Sequence, residues 1–428
     1  MEVIMGIEVV SIILLLMMFI VSAFLSVNIG ILAFVTAFVL FSFTGTITID
    51  DVYSSFPADL FILLFGVTYL FAVIQKNGTL DIIIGWGLSF VKGNIGMIPW
   101  IIFFLAMLLT SIGTSAIAVA SILAGIGFRI AYRQKINPLL IAIMIQAGCM
   151  AGSFSPLNIF GIIVNGVMKS EGLPFSETTL YINTLTFYVF LGVVAFILLG
   201  GIRLFRVSSV QSLNIISNPV YEEKENKPKL TLHNIISIIG VILLVFLVIG
   251  FKVDIGFAAL TLGLLLACLT PKLQGEIFKE MPWSAIVMVS GIVTFIGIME
   301  HVGAMELMQG LVGMIGNPYI ASLIASYIGG IISAFASTTG FLAAIIPLGV
   351  PILSDPSIST MGVVSAISIS ASVVDLSPFS TVGALFLSNI QGMSERKFFT
   401  YLLMAAGIFV LVGPFISWLI FVVIAGAF

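Results

Sequence analysis

Apolar stretches close to the ~20 residues that carry an α-helix across a bilayer recur along the whole chain, leaving no room for a sizeable water-soluble domain. In the first half they fall at about 9–26, 28–46, 57–75, 138–168 and 179–204, with a further pair at about 95–110 and 114–130. Composition agrees: 60% of the 428 residues are hydrophobic and 8% charged, against about 25% charged in soluble domains. The bilayer is the expected solvent. A net charge of -3 with no basic run excludes nucleic acid as a partner. Cys149 and Cys268 lie inside apolar segments, so neither a disulfide framework nor a zinc or iron–sulfur site is readable. No basic leader or small-residue cleavage signal precedes Val27, and 9–26 reads as a retained helix.

The pair at 95–130 needs its own reading. Its turn, TSIGTSA at 110–116, carries no charge and is too short for a solvated loop between two crossings. A re-entrant hairpin fits, because non-helical backbone at membrane depth is tolerated where protein or a water-filled cavity surrounds it. The polar break at about 206–233 reads as a midpoint linker. Across it the sequence repeats at an offset near 225: VNIGILAF at 27–34 resembles VDIGFAAL at 253–260, and IQKNGTLD at 74–81 resembles MEHVGAME at 299–306. TSIGTS at 110–115 falls opposite SAFAST at 333–338, and SPLNIFG at 155–161 opposite SPFSTVG at 377–383. Each half then holds five crossings and one hairpin, and the odd count turns the second half upside down. The predicted fold is an all-α polytopic membrane protein of two inverted repeats, with about ten spans and two hairpins.

All of the 16 Lys and Arg residues except Lys169 and Lys252 fall on one side of this topology. By the positive-inside rule that side is cytoplasmic, in a bacterial-type inner membrane, and holds the linker; both termini face outward. Residues 78–93 and 303–316 read as interfacial helices, or alternatively as distorted extensions of the preceding span. His233 and His301 sit at span ends and read as interfacial.

Inverted-repeat transporters bind at the midplane, where broken helices point their ends at substrate and coupling ion. Four breaks are expected here: the hairpin tips at Thr110–Ser115 and Ser333–Gly340, and two interruptions inside the fourth crossing of each half. In the latter, Ser155-Pro156 and Ser377-Pro378 have the form of a Ser N-cap followed by Pro at the first helical position. Free N–H groups and positive dipole ends favour an anion, while freed carbonyls with Ser and Thr hydroxyls suit a dehydrated sodium ion. Thr114, Ser115, Asn158, Ser337, Thr338, Thr339, Ser380 and Thr381 are the expected substrate contacts. Thr110, Ser111, Gly113, Gly152, Ser153, Ser155, Ser333, Ser337, Asp375 and Ser377 are expected around the coupling ion. Gly113, Gly152 and Gly340 also serve as permissive backbone positions. Asp375 is the one carboxylate placed deep in a span, its repeat counterpart being Ser153; an acid there is a functional candidate for carrying a cation or proton, or alternatively a neutral acid in a structural hydrogen bond.

FPADLFILLFGVTYLFAVIQKNGTLD at 56–81, AGSFSPLNIFG at 151–161 and DLSPFSTVGAL at 375–385 resemble the malonate and C4-dicarboxylate carriers of the MatC type. That family is similar in turn to the ion-transporter superfamily that includes the divalent-anion sodium symporters. The resemblance implies a dimerising scaffold of 1–93 and 234–316, a mobile transport domain of 94–206 and 317–428, a linker at 207–233, and an elevator motion. The sodium symporters carry Ser-Asn-Thr at both tips. Here the tips read Gly113-Thr114-Ser115 and Ser337-Thr338-Thr339, which keeps the hydroxyls and lacks the Asn.

The expected function is cation-coupled transport of malonate or a C4-dicarboxylate, driven by sodium or protons, with no other cofactor and a homodimer implied by the resemblance. An antiporter, or a carrier of another anion, uses the same cavity chemistry. An intramembrane enzyme needs a nucleophile–base pair or metal ligands, and Asp375 has no obvious intramembrane His or acid as partner. A passive channel differs from a carrier in its unsaturating flux.

Overall fold

A computed structural model describes residues 6–25, 27–44, 48–89, 94–205, 230–304, 307, 317–333 and 338–425. Among these every regular element is helical. The expected linker at 207–233 and interfacial helix at 303–316 lie mostly outside the described residues, as does Ser337.

The first half runs α1 (Ile7–Leu25), α2 (Ile29–Thr44), α3 (Ile49–Ser54), α4 (Ala58–Lys76), α5 (Thr79–Ser89), α6 (Ile98–Ser111), α7 (Ala116–Gln134), α8 (Pro138–Ser153), α9 (Ile159–Ser170) and α10 (Glu177–Leu198). The second runs α11 (Leu232–Phe251), α12 (Ile255–Cys268), α13 (Gln274–Glu280), α14 (Trp283–His301), α15 (Pro318–Ser333), α16 (Thr338–Leu348), α17 (Thr360–Val373), α18 (Thr381–Asn389) and α19 (Glu395–Trp418), which continues as a π-helix over Leu419–Ile424. Local chemistry sets the boundaries. Thr48 and Asp51 form a capping box at α3, as Thr231 and Asn234 do at α11; Ser176, Asp254 and Ser359 cap α10, α12 and α17. Lys135 and Lys252 close α7 and α11 in the left-handed conformation.

By length and composition α4, α7, α10, α14, the broken α17–α18 rod and α19 can each cross a bilayer, and shorter apolar helices complete the bundle. The chain is an all-helical polytopic membrane protein. Its repeats show in reciprocal packing. Within one group of helices α4 packs on α12 and α2 on α14; within another α7 packs on α18 and α9 on α16. Small residues allow the first group to approach closely: a Cβ on Gly66 would lie 2.1 Å from the Gly256 carbonyl oxygen, and one on Gly291 2.2 Å from that of Gly30.

Inversion can be read from these contacts. Gly256 faces Leu63, and Gly263 faces Leu70 and Tyr69, so α12 runs parallel to α4. Since α4 returns across the bundle after α2, α12 runs opposite to α2, its counterpart in the repeat. The two ends are chemically sorted as well. One carries Lys76, ion-paired to Glu276 at 2.8 Å, and the basic turn after α7. At the other, Gly297 packs on Ser55, and Glu171 is pushed up to about 7 by burial and then by the charge of Glu300.

Candidate substrate and ion site

The α6–α7 hairpin meets the interruption between α8 and α9. Gly113 turns the tip at φ 106, and a Cβ there would lie 2.4 Å from the Phe71 ring and 2.5 Å from the Leu157 oxygen. Only glycine meets both demands. Asn158 Nδ2 donates to the carbonyls of Thr110 (2.7 Å) and Thr114 (3.0 Å), and Ser155 Oγ donates to the Ser111 carbonyl (2.6 Å). The tip is therefore clamped to the break. At 1.5 Å per residue, the 16 residues of α8 and 12 of α9 put this junction about 24 Å from one end and 18 Å from the other. That is the interior of the bilayer.

The breaks begin differently from the expectation. Ser155 and Ser377 are not N-caps. Each opens a β-turn with Pro at its second position, closed by Asn158 N–H to the Ser155 oxygen (3.0 Å) and Ser380 N–H to the Ser377 oxygen (2.9 Å). The new helices start three residues later: Asn158 stands at the N-cap position of α9 without a side-chain capping bond, and Ser380 caps α18. Proline suits both settings because it fixes φ near -65° in either.

Side-chain polarity separates the expected site residues. Thr110, Ser111 and Ser153 donate to the carbonyls of Ala106, Met107 and Cys149. What they can still offer is lone pairs, the polarity a cation needs. Asn158 spends its amide protons on the tip instead of pointing them at a ligand. The Thr114 hydroxyl is buried with no hydrogen-bond partner among the described residues, while Ser115 is exposed at the start of α7 with no capping bond. Gly152 holds the tip close: a Cβ there would sit 2.1 Å from Thr110 Oγ1 and 2.3 Å from the Met107 oxygen.

Removing the clamp has a measurable expected cost. Asn158→Ala deletes two bonds to buried carbonyls and should lower stability in detergent by about 1–3 kcal/mol. Asn158→Asp, which lacks the donor, should do no better. Unchanged melting of both variants would show that the tip holds itself.

The second repeat builds a different junction. Thr338 Oγ1 donates to Asp375 Oδ1 at 2.8 Å, and Ser333 Oγ lies 2.7 Å from Thr338 Oγ1. With the Thr338 proton committed, the chain reads Ser333 to Thr338 to Asp375. Ser380 Oγ donates to the Asp375 carbonyl and accepts from Gly383 N–H. Ser377 is buried and accepts from Phe379 N–H (3.3 Å). Thr339 lies against Met288, and Thr381 is exposed at the head of α18. A Cβ on Gly340 would meet Met288 Sδ at 2.7 Å.

The two junctions share one assembly. The loop after α18 packs on Tyr132 near the end of α7, so both helices run from the middle to the same end, with their positive N-termini inward. α9 packs on α16 in the mirrored arrangement.

Helix α10 joins the halves through residues the sequence reading missed. Tyr181 OH bonds Ser111 Oγ (2.8 Å), Asn183 Nδ2 donates to Ser365 Oγ (3.0 Å), and Tyr188 OH bonds Ser372 Oγ (2.6 Å). Three polar side chains inside one apolar span were the available signal. Among the described residues no group of three or more His, Cys, Asp or Glu gathers around a metal position. A cation here would be held by hydroxyls, carbonyls and Asp375.

Comparison with known proteins gives these junctions a context. Residues 5–153 match the family model described as dicarboxylate carrier protein MatC N-terminus. The match ends at the last residue of α8, where the first break begins. Among solved structures, the YdaH transporter of Alcanivorax borkumensis is similar, at a TM-score of 0.52 and 11% identity, covering 87% of this chain and 86% of that one. The fold is shared over nearly the whole length. A comparison with curated proteins gave no match. Both of these likenesses are to transport proteins.

Proposed function

We propose that this chain is a secondary transporter of a small dicarboxylate, malonate or a C4 acid, coupled to sodium or protons. The observation that carries the reading is the unequal pair of junctions: matched breaks, with a carboxylate in one and only hydroxyls at the same place in the other. Asp375 takes the cation, with Thr338 and Ser333 behind it. The helix ends of α7, α9, α16 and α18 supply N–H groups and positive potential from two repeats, which suits a substrate with two negative ends. The family match over α1–α8 supports the dicarboxylate class. The basic end faces the cytoplasm by the positive-inside rule.

Purified protein in proteoliposomes should take up labelled malonate or succinate saturably, only under a sodium or proton gradient, and show counterflow. Failure of every gradient to drive any of these acids would overturn the symport reading; exchange without a gradient would indicate an antiporter.

A second asymmetry supports alternating access. α4 packs on α9 and α14 on α16, while the repeat-related pairs α14 with α18 and α4 with α7 make no comparable contact among the described residues. Two internally symmetric groups thus meet asymmetrically, and exchanging the two sets of contacts generates the opposite-facing state. The group containing α6–α10 and α15–α19 is the moving part, and the scaffold is the rest. A Cβ on Gly166 would lie 2.6 Å from the end of Leu60. Leu60→Cys with Gly166→Cys, in a Cys149→Ala, Cys268→Ser background, should be bridged by mercury with loss of uptake, and thiol should restore it. Full bridging with undiminished uptake would exclude relative motion at this contact.

A further inference from the structure

We propose an anionic-phospholipid site at the basic end of the helical assembly, between the start of α8 and the end of α10. A half-open cavity of about 520 Å³ is lined there by Asn137, residues 197–200, Ile202 and Arg203. None of its lining residues belongs to the described parts of either junction, and none of the transport chemistry uses it.

The cavity is built by a defined turn. Gly200, at φ 85, reverses the chain after α10. Phe205 then anchors the returning segment, its ring tilted against Phe196 at 5.8 Å between centroids and filling the space in front of Gly96. Arg203 is thereby held over the cavity on a short fixed turn, with no carboxylate at ion-pair distance among the described residues. Opposite it, Asn137 caps α8 by accepting from Leu139 N–H (3.0 Å), which leaves its Nδ2 protons free to donate. The positive end of α8 adds to the same potential. An anion is the complement of all three.

The apolar part of the lining decides which anion. Leu198 is 76% exposed and Ile202 49%, beside a charged group at the membrane boundary. A free phosphate leaves these side chains uncovered, whereas a phospholipid covers them with its acyl chain while its phosphate meets Arg203. An anionic headgroup is preferred over a zwitterionic one because the site brings no carboxylate to pair with choline or ethanolamine.

The test uses delipidated full-length protein, with native mass spectrometry and thermal unfolding under added lipid. Phosphatidylglycerol or cardiolipin should bind and raise the melting temperature, and phosphatidylcholine should not. Arg203→Gln should weaken binding about five-fold, the loss expected for one basic residue at an anionic surface, while Arg203→Lys retains most of it. Arg129→Gln, on α7, serves as the charge-matched control and should bind as the wild type. Equal binding by Arg203→Gln and wild type, equal binding of phosphatidylcholine, or full stabilisation by inorganic phosphate alone would each overturn the proposal.

Discussion

Asp375→Asn is expected to uncouple the carrier: uptake driven by a cation gradient falls by roughly ten- to a hundredfold, while the protein still folds and inserts. The substitution is close to isosteric. Its side-chain oxygen can still accept from Thr338, the bond seen at 2.8 Å, so the junction keeps its shape. What disappears is the negative charge. Hydrogen bonds and cation contacts to a charged group contribute about 1.5–3 kcal/mol, and each 1.4 kcal/mol is tenfold in an equilibrium, which gives the stated range. Thr338→Val should have a smaller effect in the same direction, because it removes one donor and leaves the charge. Asp375→Ser places in the second repeat what the first carries at Ser153, and should abolish coupling as Asn does. The measurement is initial uptake with and without each gradient, beside counterflow of unlabelled substrate. Wild-type gradient dependence in both Asp375 variants would remove the carboxylate from the mechanism and shift the cation to the hydroxyls and carbonyls of the first junction.

Much of this arrangement was legible before any coordinates, for a physical reason. A chain in lipid must satisfy its backbone within helices, so every interruption has to be marked by residues that tolerate it. Gly113 at the first tip and the Ser-Pro pairs are such marks, and the repeat makes the Ser-Pro pair appear twice. The exact start of α9 and α18 was not legible. Ser-Pro is equally at home as cap and first helical residue or as the first half of a β-turn; here it opens turns closed at Asn158 and Ser380, of which only Ser380 makes a side-chain capping bond. Side-chain direction was hidden too. Asn158 is the kind of residue that binds a substrate, and only the fold shows its amide protons turned toward the tip. The α10 strut went unseen because Tyr181, Asn183 and Tyr188 lie in a long span without a break, and nothing local says that their partners sit on α6 and, about 180 residues away, on α17.

The seating of the first hairpin gives a second large effect. Gly152→Ala should destabilise the hairpin by about 1–3 kcal/mol and depress transport with it. The added Cβ meets Thr110 Oγ1 at 2.1 Å, the Met107 oxygen at 2.3 Å and the Ser111 nitrogen at 2.6 Å. Two of these atoms are backbone and cannot rotate away, so α6 must lift from α8 as a unit. Lifting it stretches the Asn158 and Ser155 clamps and moves Thr114, whose buried hydroxyl has no hydrogen-bond partner among the described residues. Thr110→Ala removes one of the three clashes and should rescue only part of the loss. Gly275→Ala and Gly407→Ala, where a Cβ meets nothing within 4 Å, should be neutral or slightly stabilising, since alanine is the better helix former. Thermal unfolding and malonate uptake on the four variants distinguish a packing defect at this junction from a general intolerance of the bundle. If Gly152→Ala melts and transports as the two control variants do, the hairpin is not seated against α8 in the working protein, and the pocket described here loses one of its walls.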